Sequence, residues 1–191
     1  MTEPGFEKIA LDTGWVMAGR GRFIVLAPDL VQSEGGTGLY WYPHREFGDF
    51  VLRIEWMATE KEDNSGVFIR FPPLGRDNPD QDWKLAVDQG LEVQIDDTGL
   101  DPRSGALDQP LHRTGAIYGL APAEVLASNP LGEWNEFQIT AEGPVVTVML
   151  NGITVAQLTE DRGRPRSGHL GLQNHHPDSR VRFRNLRIKV I

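Results

Sequence analysis

The chain has 191 residues, with 19 Lys+Arg against 27 Asp+Glu, a formal charge of −8 and no cysteine. That balance argues against a general affinity for nucleic acid or anionic lipid, and without cysteine there is no disulfide framework, thiolate nucleophile or Cys-based zinc site. No stretch approaches the roughly 18 apolar residues of a membrane span. The N-terminal MTEPGFEKIALDTGW lacks the basic and then apolar run of a signal peptide. As written, the sequence reads as a cytoplasmic protein, or as a secreted or periplasmic one if a leader has been removed. Its length suits one domain over residues 1–191.

Twenty-one Gly and 13 Pro punctuate short alternating apolar segments, a pattern of many strands joined by turns. Phe23 to Leu26 is the first expected strand. The loop Gly35-Gly36-Thr37-Gly38 leads into Leu39 to Tyr42, and a longer strand carries Phe50, Leu52, Ile54 and Trp56 on one face. Lys61 to Asn64 reads as a turn before Val67, Ile69 and Phe71. Pro72 to Gln89 reads as a long loop with one helical turn around Trp83 to Val87.

GLEVQIDD at 90–97 alternates Leu91, Val93 and Ile95 with Glu92, Gln94 and Asp96. Successive strand side chains point to opposite faces, so one face of this strand is apolar and the other polar with two carboxylates. A second long loop, Thr98 to Arg113, follows. Long irregular segments inside a compact domain are more often functional than decorative. Trp134 to Ala141 and Val145 to Leu150 suggest a hairpin, and Asn151-Gly152 marks another before Ile153 to Leu158. Strands at His169 to Asn174 and Val181 to Val190 close the chain. The apolar phase of the last one switches near Arg184-Asn185, which predicts a bulge. The fold class expected is all-β, a two-sheet antiparallel sandwich.

Three polar groups stand out on these strands: the row Glu92, Gln94 and Asp96; Arg70 after Asn64-Ser65-Gly66; and Gln173 with His175, in phase with His169 and Gly171. Carboxylate, amide, imidazole and guanidinium together suit a sugar, whose hydroxyls both donate and accept. Trp41, Tyr118 and Trp134 could stack on a pyranose face, against the plainer reading that each is a core or rim aromatic. The pair His175-His176 lacks metal-ligand spacing, because adjacent strand side chains diverge. No metal site is therefore assigned and no cofactor is expected; a divalent metal stays open as an alternative that no ligand spacing supports. Glu60-Lys61-Glu62-Asp63 reads as a solvated turn. GGTG at 35–38 is not a phosphate loop, and Ser65 lies in no G-x-S-x-G elbow.

The motifs NSGVFIR at 64–70, GLEVQIDD at 90–97, TGAIYGL at 114–120, GEWNEFQI at 132–139, LNG at 150–152, HLGLQNH at 169–175 and VRFRNLRIKVI at 181–191 occur in order. Together they resemble the 3-keto-disaccharide hydrolase family over about residues 12 to 191. The resemblance implies a concanavalin A-like jelly roll that cleaves glycosides already oxidised to a ketone at C3. A C3 ketone acidifies the C2 proton, so a base can remove it and the C1 substituent can leave. By matching motif positions, Glu92, His175 and Arg70 are the expected catalytic residues. Glu92 or His175 is the base, the other assists the leaving oxygen, and Arg70 steadies the enolate; the rival reading of Arg70 and Glu92 is a structural ion pair. Gln94, Asn64, Asp96, Tyr118, Gln173 and Trp134 are the expected substrate contacts. The partner is a small saccharide or glycoside, with no nucleic acid or membrane and an open oligomeric state. The alternative is a non-catalytic carbohydrate-binding module of the same fold, and a third reading is an interaction domain whose polar row is merely solvated.

Overall fold

The structure, a computed structural model, describes residues 3–191; Met1 and Thr2, the first residues of the N-terminal stretch read above, lie outside it. The strands are β1 Glu7–Lys8, β2 Val16–Gly19, β3 Arg22–Ala27, β4 Leu30–Glu34, β5 Gly38–Phe47, β6 Phe50–Met57 and β7 Asn64–Phe71. They continue as β8 Leu91–Asp96, β9 Asn135–Glu142, β10 Val145–Leu150, β11 Ile153–Leu158, β12 Gly168–Asn174 and β13 Arg182–Val190. A single short helix among the described residues, α1 Lys84–Gln89, precedes β8. No helix of the described residues is long and apolar enough to cross a membrane.

All pairings are antiparallel and fall into two sheets. One runs β11-β10-β9-β6-β13-β4-β3, with β1 added on β13, and the other runs β2-β5-β12-β7-β8. The two-sheet sandwich expected from alternation is the fold observed. Leu52, Ile54, Phe137, Ile139, Val148 and Ile188 from the larger sheet meet Val67, Ile69, Val93, Leu170 and Leu172 from the smaller, all fully buried in one core. Each such side chain contributes about 1.5–3 kcal/mol by leaving water.

Both hairpins around β10 form as the turn signals indicate, and Asn151 takes the positive φ of 51° that its turn needs. The bulge expected in β13 is present: pairing with β6 slips between Arg184 and Arg187, and Asn185 has φ 56°. Strands β1, β2 and β4 were not expected. They are short: EK is too brief for any pattern, VMAG is apolar without alternation, and LVQSE has only two adjacent apolar residues, so none shows a period of two. The turn before β7 is not wholly solvated either. Asp63 is buried and accepts from the amides of Thr59, Glu60 and Arg180, tying that turn to the entry of β13.

The outer face of the five-stranded sheet is only partly open. Leu39, Trp41, Phe68 and Phe71 on that face are covered by Leu74 and Ala86, with Trp83 and Leu85 at the margin. The segment 72–90 thus forms a second, smaller core over part of the sheet. Arg20 pairs with Asp80 and the Arg164 guanidinium donates to the carbonyls of Val87, Asp88 and Gly90, so the middle and the C-terminal end of the segment are held. What it leaves uncovered is the polar row of β8.

Candidate active-site cleft

Register sets the floor of the cleft. Between β7 and β8, Phe68 faces Glu92, Gly66 faces Gln94 and Asn64 faces Asp96, while Gly171 of β12 faces Phe68. Glu92, Gln94 and Asp96 therefore share the outer face with Asn64 and Gln173. Together with His175, just beyond β12, these residues line a cavity of about 270 Å³. Trp83 and Val87 form one wall and Leu100, Pro102 and Tyr118 the other, so both long loops contribute. The cavity lies close to the lower end of the range usual for small-molecule sites, about 300 Å³.

Glu92 lies at the bottom, with solvent reaching only part of it. Gly66 makes room for it, since a Cβ there would fall 2.5 Å from Glu92 Oε1. With its amide oriented to satisfy its surroundings, Gln94 donates to Ser65 O at 3.0 Å and to Glu92 Oε1 at 3.1 Å. The Gln173 side chain reaches across β7 from β12 to hydrogen-bond Glu92. No lysine or arginine lines the cavity among the described residues. Burial without a cation raises the Glu92 carboxyl to about 8, and the Gln173 hydrogen bond offsets only part of that rise. Burial moves His175 the opposite way, below the ordinary 6.5; His176 adds to this and Asp96 opposes it. At neutral pH the cleft thus holds a protonated carboxyl and a neutral imidazole.

Tyr118 is half-buried at the rim of the cavity, its amide bonded to Glu92 O at 2.9 Å. Burial, and then the Glu92 and Asp101 carboxyls, raise its phenol, so it stays a hydroxyl donor. Its ring packs on His112 with centroids 4.9 Å apart. Asp96 serves the loop more than the cavity: Oδ1 accepts from Thr98 N and Oγ1, and Oδ2 from Asn64 Nδ2 and Leu100 N. Asp97 likewise holds Thr114 and Ser128. Gln173 Oε1 and Asn64 Oδ1 are buried acceptors without a partner among the described residues.

Two expected site residues lie elsewhere. Arg70 has φ 54°, and pairing with β12 slips beside it, so a bulge breaks the alternation that would have aimed it into the cleft. Its buried guanidinium instead donates to Gly48 O, Gly143 O and Asp49 Oδ1. Neither the enolate role nor a Glu92 ion pair is open to it. Trp134 stands at the start of β9 in the other sheet, with the Arg184 guanidinium 3.8 Å from its ring centroid. Trp41 is buried in the smaller core, edge-on to His169. The aromatic residues of the cleft are Trp83 and Tyr118. Trp83 was read only as part of a helical turn, although its place in a long Pro-containing loop was a signal.

A further cavity of about 270 Å³ beside β1 and β5 includes Lys8, Tyr42, His44 and Arg45 in its lining. Its cations are already engaged, Lys8 with Asp29 and Arg45 with Glu7. It offers no unpaired charge for chemistry.

The family model of the 3-keto-alpha-glucoside-1,2-lyase-like domain matches residues 8–189. The chain belongs to that family. Membership in the 3-keto-alpha-glucoside-1,2-lyase-like family ties it to carbohydrate chemistry. No curated protein shows detectable sequence similarity to it. Among solved structures, a candidate glycosyl hydrolase from Parabacteroides distasonis ATCC 8503 superposes with TM-score 0.73 at 21% identity, covering 93% of this chain and 88% of that one. The carbohydrate-binding module CBM66 from Bacillus subtilis gives 0.62 at 15% identity over 93% and 96%. A Bacillus subtilis protein of unknown function with a galectin-like fold gives 0.64 at 11% identity over 92% and 88%. At such identities the likeness concerns the fold, a concanavalin A-like jelly roll.

Proposed function

We propose that the chain cleaves 3-keto-glucosides at the C1–O bond by elimination, with His175 as the base and Glu92 as the acid. The observation that carries this reading is the opposed displacement of two groups in one cleft: Glu92 is raised to about 8 and His175 is lowered. Environments that push two titratable groups apart set out an acid and a base at neutral pH. The family description, 3-keto-alpha-glucoside-1,2-lyase-like, supplies the substrate class.

The neutral imidazole takes the C2 proton, which the adjacent C3 ketone has acidified. The electron pair of the C2–H bond flows into a C2–C3 enolate. It then returns to form the C1–C2 double bond as the C1–O bond breaks and the C3 carbonyl is restored. The departing oxygen takes the Glu92 proton, leaving a carboxylate and an imidazolium. Water adding across the unsaturated sugar gives hydrolysis overall. The enolate oxygen needs a donor. With Arg70 occupied elsewhere, we assign that role to the Tyr118 hydroxyl, kept protonated by its surroundings. Gln94 and Gln173 hold Glu92 in place. The scheme uses no metal or cofactor; loss of turnover on exhaustive chelation would contradict that.

The binding-module reading draws on the likeness to CBM66. The enzyme reading is favoured by the enclosed cleft that sets the Glu92 carboxyl and the His175 imidazole around one small cavity, where a module would need only a sugar-sized groove. Mass spectrometry of products from matched oxidised and unoxidised glucosides is the test. We expect a 3-keto product and free aglycone from the oxidised substrate alone. Turnover of the unoxidised sugar only would contradict the keto-dependent route, and saturable binding with no turnover of either would favour the module.

A further inference from the structure

The cleft does not end at His175. A second cavity of about 410 Å³ adjoins it, and Asn64, Asp96, Leu100 and His175 line both. Its remaining lining includes Leu107, with Lys61 and Glu62 toward the rim. The two lobes differ in the polar atoms they leave free. In the inner lobe the Gln173 acceptor has no partner among the described residues. In the outer lobe Asp96 takes four donors, the Thr98 hydroxyl among them, and His176 Nε2 bonds Glu62 O at 3.2 Å; the polar groups left are the Asn64 acceptor at the junction and the Lys61 and Glu62 side chains at the rim. Between them the wall is apolar. Leu100 is 43% and Leu107 60% exposed, both large side chains facing water beside a cavity.

We infer that the outer lobe is the leaving-group subsite and that it selects an apolar, ring-bearing aglycone over a second sugar. The inference rests on the function proposed above, which places the keto-sugar in the inner lobe beside Glu92. A sugar aglycone would lay hydroxyls against the Leu100 and Leu107 side chains and against Asp96, whose oxygens already take four donors, stripping water from most of those hydroxyls without replacement. A hydrocarbon ring would cover Leu100 and Leu107 and needs no such partners. His175 at the junction of the lobes fits a scissile bond lying between them.

The experiment compares kcat/KM for benzyl, methyl and glucosyl 3-keto-α-glucosides. Benzyl alcohol and methanol are leaving groups of similar basicity, so their difference reads binding of the ring rather than bond reactivity. We expect the benzyl substrate to exceed the methyl and the glucosyl ones by about tenfold to a hundredfold, the range for one apolar group in a pocket. Leu107→Lys and Leu100→Ser should each shrink the benzyl-to-methyl ratio, chiefly through KM, with melting temperature checked in both. A glucosyl substrate as good as the benzyl one overturns the inference, as does a ratio that both variants leave unchanged. In either case turnover of the methyl glucoside leaves the proposed function standing. Absence of turnover for all three overturns both.

Discussion

The Glu92 carboxyl lies against the Cα of Gly66, two residues before its own cross-strand partner Phe68 and on the same face. A methyl on Gly66 would meet Oε1 at 2.5 Å, Cγ at 2.9 Å and Cδ at 3.1 Å. The glycine is there for space. Its neighbours Ser65 and Val67 are regular strand residues, and its φ lies outside the left-handed region. Gly66→Ala should therefore fold, at an overpacking cost of about 1–3 kcal/mol, and force the carboxyl aside. A displacement of this size near the reacting atoms costs on the order of a hundredfold in rate. The loss should not add to that of Glu92→Gln in the double variant, because both act through one group. Additive losses would show that Gly66 matters for some other reason.

The pH–rate profile should be a bell. On the acid side, at a pH below the ordinary imidazole range because burial lowers it, His175 gains a proton and stops accepting one; above about 8 Glu92 loses the proton it delivers. Glu92→Gln should remove the alkaline limb and lower kcat by about 10²–10⁴-fold on an alkyl 3-keto-glucoside. A nitrophenyl aglycone, which leaves without protonation, should restore most of that rate. If it restores none, Glu92 is the base and His175 the acid, and the roles proposed here are reversed.

Stability carries the same signature. The folded state holds the Glu92 proton up to about 8, whereas the unfolded chain releases it near the ordinary 4.5. The contribution of the protonated carboxyl is complete below 4.5 and is lost as pH rises from there to about 8. Glu92→Gln has nothing to ionise. Its melting temperature should match the parent near pH 4 and exceed it at pH 8.5 by several degrees, a difference on the order of 1–3 kcal/mol once partial solvation is allowed for. Calorimetry across that range reads the effect directly. A gap independent of pH would mean that Glu92 is not the group titrating.

What the sequence revealed about the site follows how local each cause is. The polar face of β8 is a matter of alternation within six residues, so Glu92 and Gln94 could be read from the chain, and His175 followed from its phase with Gln173. Arg70 obeys the same alternation on paper, but one residue at φ 54° reverses it, and no turn residue announces that bulge. Trp134 was misplaced because alternation says which side a residue faces and nothing about which sheet its strand joins. Leu100, Leu107 and Trp83 reach the cleft along loops whose paths depend on Asp96, Arg164 and Arg20, contacts remote in sequence or carried by side chains.

Arg70 itself should prove a structural clamp. It donates to Gly48 O twice, at 3.1 and 2.8 Å, and to Gly143 O at 2.8 Å, and Asp49 Oδ1 ties the same two turns by accepting from Arg70 and from the Gly143 amide. Those turns join β5 to β6 and β9 to β10, so one side chain of the smaller sheet holds two turns at the end of the sandwich. Arg70→Met keeps most of the volume and removes every donor, leaving the Gly48 and Gly143 carbonyls without it. Asp49 can turn to water, so the loss is that of the carbonyls left unserved, about 2–4 kcal/mol, or roughly 5–10 °C in melting temperature for a chain of this length. Assayed well below its transition, the variant should retain most of its kcat/KM, because the guanidinium reaches no residue of the cleft. A variant that melts like the parent but has lost turnover would return Arg70 to the reaction.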